Sequence, residues 1–276
     1  EDAVVSVFDH GLLYGDGAFE GIRAYSGVVF RLQQHIDRLY ETCHTMLIDP
    51  GMTKKEMIAA VVKTLKANGL RDGYIRLLVT RGVGDLGLDP RKCKGRPRVI
   101  IIADKITLYP EELYRNGLAI VTVPTVRNNP ETVNPQLKSL NYLNNIMAKI
   151  EANNAGVPEA IMLDGSGYVA ECTGDNIFMV KNGILKTPLQ GRLRGVTRDA
   201  VMEIAAKDLK LDVQETFITR HEMFNAEEVF LTGTAAELIP VVKIDGRAIG
   251  AGRPGPVTAK LLKLFHEVTR RDGVKF

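Results

Sequence analysis

Cysteine is scarce: the chain holds only Cys43, Cys93 and Cys172, far apart, odd in number and without a CxxC spacing. A disulfide framework and a cysteine-based zinc or redox motif are thereby excluded, and a reducing, cytoplasmic setting fits. A charge excess is missing too, since 36 Lys and Arg against 33 Asp and Glu leave a formal net charge of +3, with the basic residues spread along the chain. Nucleic acid is therefore not an expected partner. No apolar run approaches the roughly 20 residues that span a bilayer, and the start of the sequence has no signal-peptide pattern, so no membrane association is expected. Internal repeats and low-complexity tracts are lacking.

What is present reads as a globular protein of mixed α+β (α/β) type. Its 276 residues are 45% hydrophobic and 25% charged, enough for a sizeable core and for two domains. AVVSVF, at residues 3–8, alternates like a strand and suggests that the natural N-terminus lies further upstream. Leu32, Ile36, Leu39, Cys43 and Met46 fall on one helical face, and Thr53 with Glu56 forms a capping box ahead of Met57, Val61 and Leu65. YIRLLV and RVIIIA read as strands around the Gly-rich loop RGVGDLGLDP. The expected division is a small α/β domain over 1–115, a connection over 116–122 and a larger α/β domain over 123–276. In the second half RNNPETVNPQ is a loop delivering a helix with Leu140, Leu143, Met147 and Ile150 at helical spacing. Short strands follow in AIMLD, GYVAEC, NIFMVK, GILKT and EVFLTG, then a hairpin in VVKIDGRAIG and a terminal helix with Leu261 and Leu264 facing inward.

Anion binding is the chemistry most clearly suggested by local pattern. LRGVTR places Gly195, Val196 and Thr197 at a helix start, where unpaired N–H groups can hold a phosphate, and LTGTAAE offers a second Gly-Thr turn at Thr234 and Ala235 directly after a strand. Neither segment matches GxxxxGK(S/T) or GxGxxG, and either alone reads first as a capped turn. Lys138, between a Pro-containing loop and a helix, taken alone reads first as a solvated helix-start lysine, with an amine nucleophile as the alternative. Glu171 could back a protonated aromatic nitrogen or end a strand.

Taken together, YGDGAFEGIRAY, HIDRL, YIRLLVTRG, LKSLNYLNNIMAKIEA, GYVAECTGDNIF, LRGVTR and LTGTAAELIPV resemble the fold-type IV pyridoxal-phosphate enzymes, and within them the branched-chain amino acid aminotransferases. The motifs occur in family order over almost the whole chain. The resemblance implies a two-domain architecture with pyridoxal 5′-phosphate in the interdomain cleft. It implies Lys138 as the Schiff-base lysine, Glu171 as the pyridine-nitrogen partner, and Arg38, Val196, Thr197 and Thr234 around the phosphate. Tyr142 would reach the phenolic oxygen and Leu193 would pack over the ring. For the substrate it implies Tyr74 with Thr234 and Ala235 at the α-carboxylate, and Tyr14, Phe19 and Tyr109 around the side chain. Arg76 would meet the distal carboxylate of glutamate, and Leu88 lies in a loop that would reach a partner subunit, so a homodimer or higher homo-oligomer is expected.

The implied reaction transfers an amino group between leucine, isoleucine or valine and 2-oxoglutarate, giving branched-chain 2-oxo acids and L-glutamate. Alternatives on the same fold are a D-amino acid or R-amine aminotransferase and an aminodeoxychorismate lyase; a noncatalytic scaffold is disfavoured by the joint retention of Lys138 and Glu171. TPLQGRLRGVTR departs from the family pattern in being shorter and more basic, which leaves open whether Arg192 and Arg194 affect acidic substrates.

Overall fold

The computed structural model describes residues 3–276. The described residues divide into two compact units, one comprising 3–106, 137–141 and 269–276, the other 107–136 and 142–268.

In the first unit a short helix α1 (His10–Tyr14) leads into β1 (Gly17–Tyr25) and β2 (Val28–Phe30), followed by helices α2 (Leu32–Thr45) and α3 (Lys54–Ala67) and strands β3 (Gly73–Thr80) and β4 (Arg98–Asp104). The sheet is antiparallel, in the order Gly273–Lys275, β2, β1, β3, β4. Its helix-facing row, Ile22, Ala24, Ile75, Leu77 and Val79, packs on Leu32, Ile36, Leu39 and Cys43 of α2 and on Met57, Val61 and Leu65 of α3, all buried. The expected capping box is formed: Glu56 N donates to Thr53 Oγ1 at 3.3 Å and Thr53 N to Glu56 Oε2 at 2.7 Å.

The second unit contains α4 (Glu111–Asn116), β5 (Leu118–Thr122), α5 (Leu143–Asn154), β6 (Glu159–Leu163), β7 (Val169–Cys172), β8 (Asn176–Lys181) and β9 (Ile184–Pro188). Then come α6 (Val196–Lys207), β10 (Asp212–Thr216), α7 (Arg220–Phe224), β11 (Glu228–Gly233), β12 (Glu237–Ile244), β13 (Arg247–Ala248) and α8 (Pro256–Thr269). The mixed sheet runs β10-β9-β8-β11-β12-β5-β6-β7, with β13 pairing on β12 as the expected hairpin. Its turn, Asp245-Gly246, has both residues at positive φ, the conformation a two-residue hairpin demands. Ile161, Ile177, Met179, Val229, Leu231, Ile239 and Val241 form the centre of its core.

Three expectations are corrected. Residues 3–8 form no strand and are exposed, because alternation without a neighbouring ladder leaves backbone groups unpaired. The C-terminal strand pairs with β2, and Ser139 bridges to β1. Leu140 precedes α5 rather than lying in it; the helix buries Asn145, Ala148 and Ala152 and turns Leu143, Ile146, Met147 and Ile150 outward. Small residues let α5 approach β6 closely, so the core takes the alanine face. In α8 the buried partner of Leu261 is Phe265, one turn on, and Leu264 is half-buried.

Candidate active site

In the first unit, residues 138–140 lie beside the start of β1 as an extra antiparallel rung. Phe19 N donates to Lys138 O at 2.9 Å, Leu140 N to Gly17 O at 2.9 Å, and Lys138 N to Thr42 Oγ1 at 3.3 Å. The backbone of Lys138 is thus fixed by a strand and a helix, and its half-buried amine sits 4.4 Å from the centroid of the Phe19 ring. Arg76 lies over the same ring at 4.7 Å and over Tyr74 at 5.5 Å, which places a second cation on aromatic surface. Tyr74 and Arg76 share a face of β3 through two-residue alternation, opposite Arg23 and Gly21 of β1. A Cβ at Gly21 would collide with the Tyr74 hydroxyl, so only glycine there leaves the phenol in place.

Arg38 reaches from α2 to Glu20 on β1, with Nε to Oε1 at 2.7 Å and Nη2 to Oε2 at 2.8 Å. Tyr14 donates its hydroxyl to Leu86 O, and His10 Nε2 contacts Asp85 O at 2.8 Å, so α1 holds the loop bearing Leu88, which is itself exposed.

In the second unit Glu171 is buried on β7. Arg127 Nε donates to its Oε1 at 2.8 Å, and Asn176 Nδ2 and Leu193 N donate to Oε2 at 3.0 Å each. Asn176 also donates to Leu193 O at 2.9 Å, fixing the backbone of that loop, and a Cβ at Gly195 would strike the Asn176 amide oxygen. Val196 and Thr197 begin α6 as buried residues, and no side chain caps that helix start. The Thr232 hydroxyl on β11 is buried with no hydrogen-bond partner, two residues before Thr234 and three before Ala235 in the turn that follows. Tyr142 forms the N-cap of α5. Tyr109 lies in the hydrophobic core beside Tyr114, where burial pushes its phenol up.

The basic loop is resolved by its partners. Arg192 is buried, donating from Nε to Pro188 O at 2.8 Å and pairing with Glu215, whereas Arg194 is exposed beside Asp199 at 3.4 Å.

Sequence reasoning missed Arg127, Asn176, Glu20 and His35. Glu20 carried a signal, because it interrupts the core-facing row Ala18, Ile22, Ala24 of β1 with an acid. Arg127 carried none beyond a charge at the mouth of the Asn- and Pro-rich loop.

The chain matches the amino-transferase class IV family model over residues 17–244. It is 54% identical over 277 residues, covering 100% of this chain and 94% of the relative, to a Methanocaldococcus jannaschii protein whose assignment as a branched-chain-amino-acid aminotransferase is itself provisional. The crystal structure of the Escherichia coli branched-chain amino acid aminotransferase superposes with a TM-score of 0.93 at 36% identity, covering 96% of this chain and 89% of that one. The Thermobaculum terrenum branched-chain amino acid aminotransferase, solved in its PLP-bound holo-form, gives 0.89 at 32% identity, with 98% and 90% covered. With motifs, fold and these likenesses in agreement, the chain belongs to the class IV amino-transferase family.

Proposed function

We propose that this chain is a pyridoxal 5′-phosphate-dependent aminotransferase that moves the amino group between L-leucine, L-isoleucine or L-valine and 2-oxoglutarate, giving branched-chain 2-oxo acids and L-glutamate. The observation that carries the reading is one chain holding both a lysine amine against an aromatic ring, at Lys138, and a buried carboxylate backed by an arginine, at Glu171. The residues fit the cofactor's chemistry. The buried, uncapped start of α6 suits a phosphate, with Val196, Thr197 and Thr234 supplying donors, and the unpartnered Thr232 hydroxyl marks a polar interior nearby in the same unit.

When bound, the cofactor supplies an aldehyde carbon and a protonated ring that withdraws electrons from the substrate α-carbon. Lys138 would provide the amine that tethers it and the base that takes up the proton leaving the substrate α-carbon. Glu171, held by Arg127, Asn176 and Leu193 N, would be the partner of the ring nitrogen. Tyr142 would serve the phenolic oxygen and Leu193 the ring face, and Arg38 would add a cation for the phosphate. Tyr74 with the Thr234–Ala235 backbone holds the substrate carboxylate. Phe19, Tyr14 and Tyr109 supply apolar surface for a branched side chain, and Arg76 receives the second carboxylate of glutamate.

Arg76 favours this reading over a D-amino acid or R-amine aminotransferase or an aminodeoxychorismate lyase, because a cation laid across Phe19 and Tyr74 serves apolar and acidic side chains in alternation. The chain acts as a cytoplasmic homodimer or higher homo-oligomer. The outward apolar stripe of α5 supports self-association, and the exposed Leu88 suits a loop that reaches a partner subunit. The test is to treat the purified protein with L-leucine, D-alanine, an R-amine and aminodeoxychorismate and identify products. Borohydride reduction and peptide mapping should place the cofactor on Lys138; an adduct on another lysine, or turnover of D-alanine alone, overturns the reading.

A further inference from the structure

Glu20 has no place in the mechanism above, yet it is fully buried in the core-facing row of β1, between Ala18 and Ile22. A carboxylate persists in such a row only with strong compensation. It has three donors: Arg38 Nε at 2.7 Å and Nη2 at 2.8 Å, which grip the two oxygens fork on fork, and His35 Nδ1 at 2.8 Å. Burial alone would raise the Glu20 pKa, but Arg38 and His35 together overcome it and hold the carboxyl down at about 2. Burial, aided by Arg38 and Lys138, keeps His35 below its ordinary range despite the pull of Glu20. The group therefore reads as an ionised Glu20, a neutral imidazole donating from Nδ1, and a guanidinium whose plane is fixed by two parallel bonds. It lies at the lysine's own footing: Phe19 bonds Lys138 O, Thr42 bonds Lys138 N, and Thr42 is one helical turn beyond Arg38.

We infer that Glu20, steadied by His35, is a positioning residue that sets the orientation of the Arg38 guanidinium for the cofactor phosphate. The inference rests on the proposal that Arg38 is a phosphate ligand. An arginine on an amphipathic helix has several χ angles to order, and the fork to Glu20 removes that freedom before the anion arrives, so less of the pairing is lost to entropy. Glu20, fully buried, would act through Arg38.

The test is equilibrium binding of pyridoxal 5′-phosphate, with unphosphorylated pyridoxal as control, to the full-length protein after removal of cofactor. Glu20→Gln, Arg38→Leu and the double variant are compared, and circular dichroism melting verifies that each is folded. Glu20→Gln should weaken pyridoxal 5′-phosphate about tenfold and leave pyridoxal unchanged. The double variant should bind no worse than Arg38→Leu alone. Equal losses for both ligands would reduce Glu20 to a general structural role, and multiplied losses in the double variant would show that it acts apart from Arg38; either overturns the inference and leaves the phosphate assignment standing. An Arg38→Leu protein that binds like the parent overturns both, while Lys138 mapping still judges the proposed reaction separately. If Glu20→Gln does not fold, His35→Phe, which removes one of the three donors and keeps the ion pair, should give a smaller loss confined to the phosphorylated ligand; no loss overturns the inference.

Discussion

Arg127 Nε and Glu171 Oε1 are 2.8 Å apart, each side chain 6% exposed, in a pair that joins the loop after β5 to strand β7. Removing one member of such a buried pair leaves an uncompensated charge, which costs more than the pair contributes as a whole. Arg127→Met should lower unfolding free energy by about 3–5 kcal/mol, measured by urea titration. Arg127→Met combined with Glu171→Gln should recover much of the loss. Equal stability in the single and double variants would show that Glu171 is not what Arg127 compensates.

Acid should weaken the protein partly through Glu20. Its folded pKa, about 2, lies below the unfolded value of 4.5, so its contribution is fully present above that value and is lost as pH falls through the folded one. A displacement of that size corresponds to about 3 kcal/mol. The difference in unfolding free energy between the parent and Glu20→Gln should therefore shrink between pH 5 and pH 2. A difference constant over that interval would sink the assignment.

Arg76→Leu should weaken glutamate and 2-oxoglutarate more than leucine and its 2-oxo acid. Only the acidic pair carries a second carboxylate, and losing a charge-assisted contact costs about 1.5–3 kcal/mol, roughly ten- to hundredfold. Arg192 does not replace it as a mobile cation, since Glu215 and Pro188 O hold it. Half-reactions measured separately with each substrate check this, and equal losses would assign Arg76 to the shared architecture instead.

On α5, Ile146→Glu with Ile150→Lys should shift the protein toward monomers in sedimentation velocity while far-ultraviolet circular dichroism stays constant. These positions are 52% and 44% exposed in the isolated chain, so charge there has no core to disrupt. An unchanged sedimentation coefficient would remove α5 from the self-association surface.

Much of the local structure was legible because local rules produce it. The Thr53–Glu56 capping box, the Asp245-Gly246 turn and the buried faces of α2 and α3 follow from periodicity and end chemistry within one turn or hairpin. Family motifs likewise singled out Lys138 and Glu171. By itself, then, the sequence determined most element types and the class of reaction. It did not determine partners. Periodicity marks α5 as having an apolar face but is silent on whether a core covers it, and the tertiary structure packs the Ala148–Ala152 face inward instead. Alternation in residues 3–8 likewise lacks the neighbouring strand that would make it β structure. Glu20 with Arg38, 18 positions apart, and Arg127 with Glu171, 44 apart, meet only because sheets and helices bring distant segments within hydrogen-bond reach. Buried charges are stabilised by partners rather than by their own residue type, so which acid is held ionised, and by what, was decided by the folded chain alone.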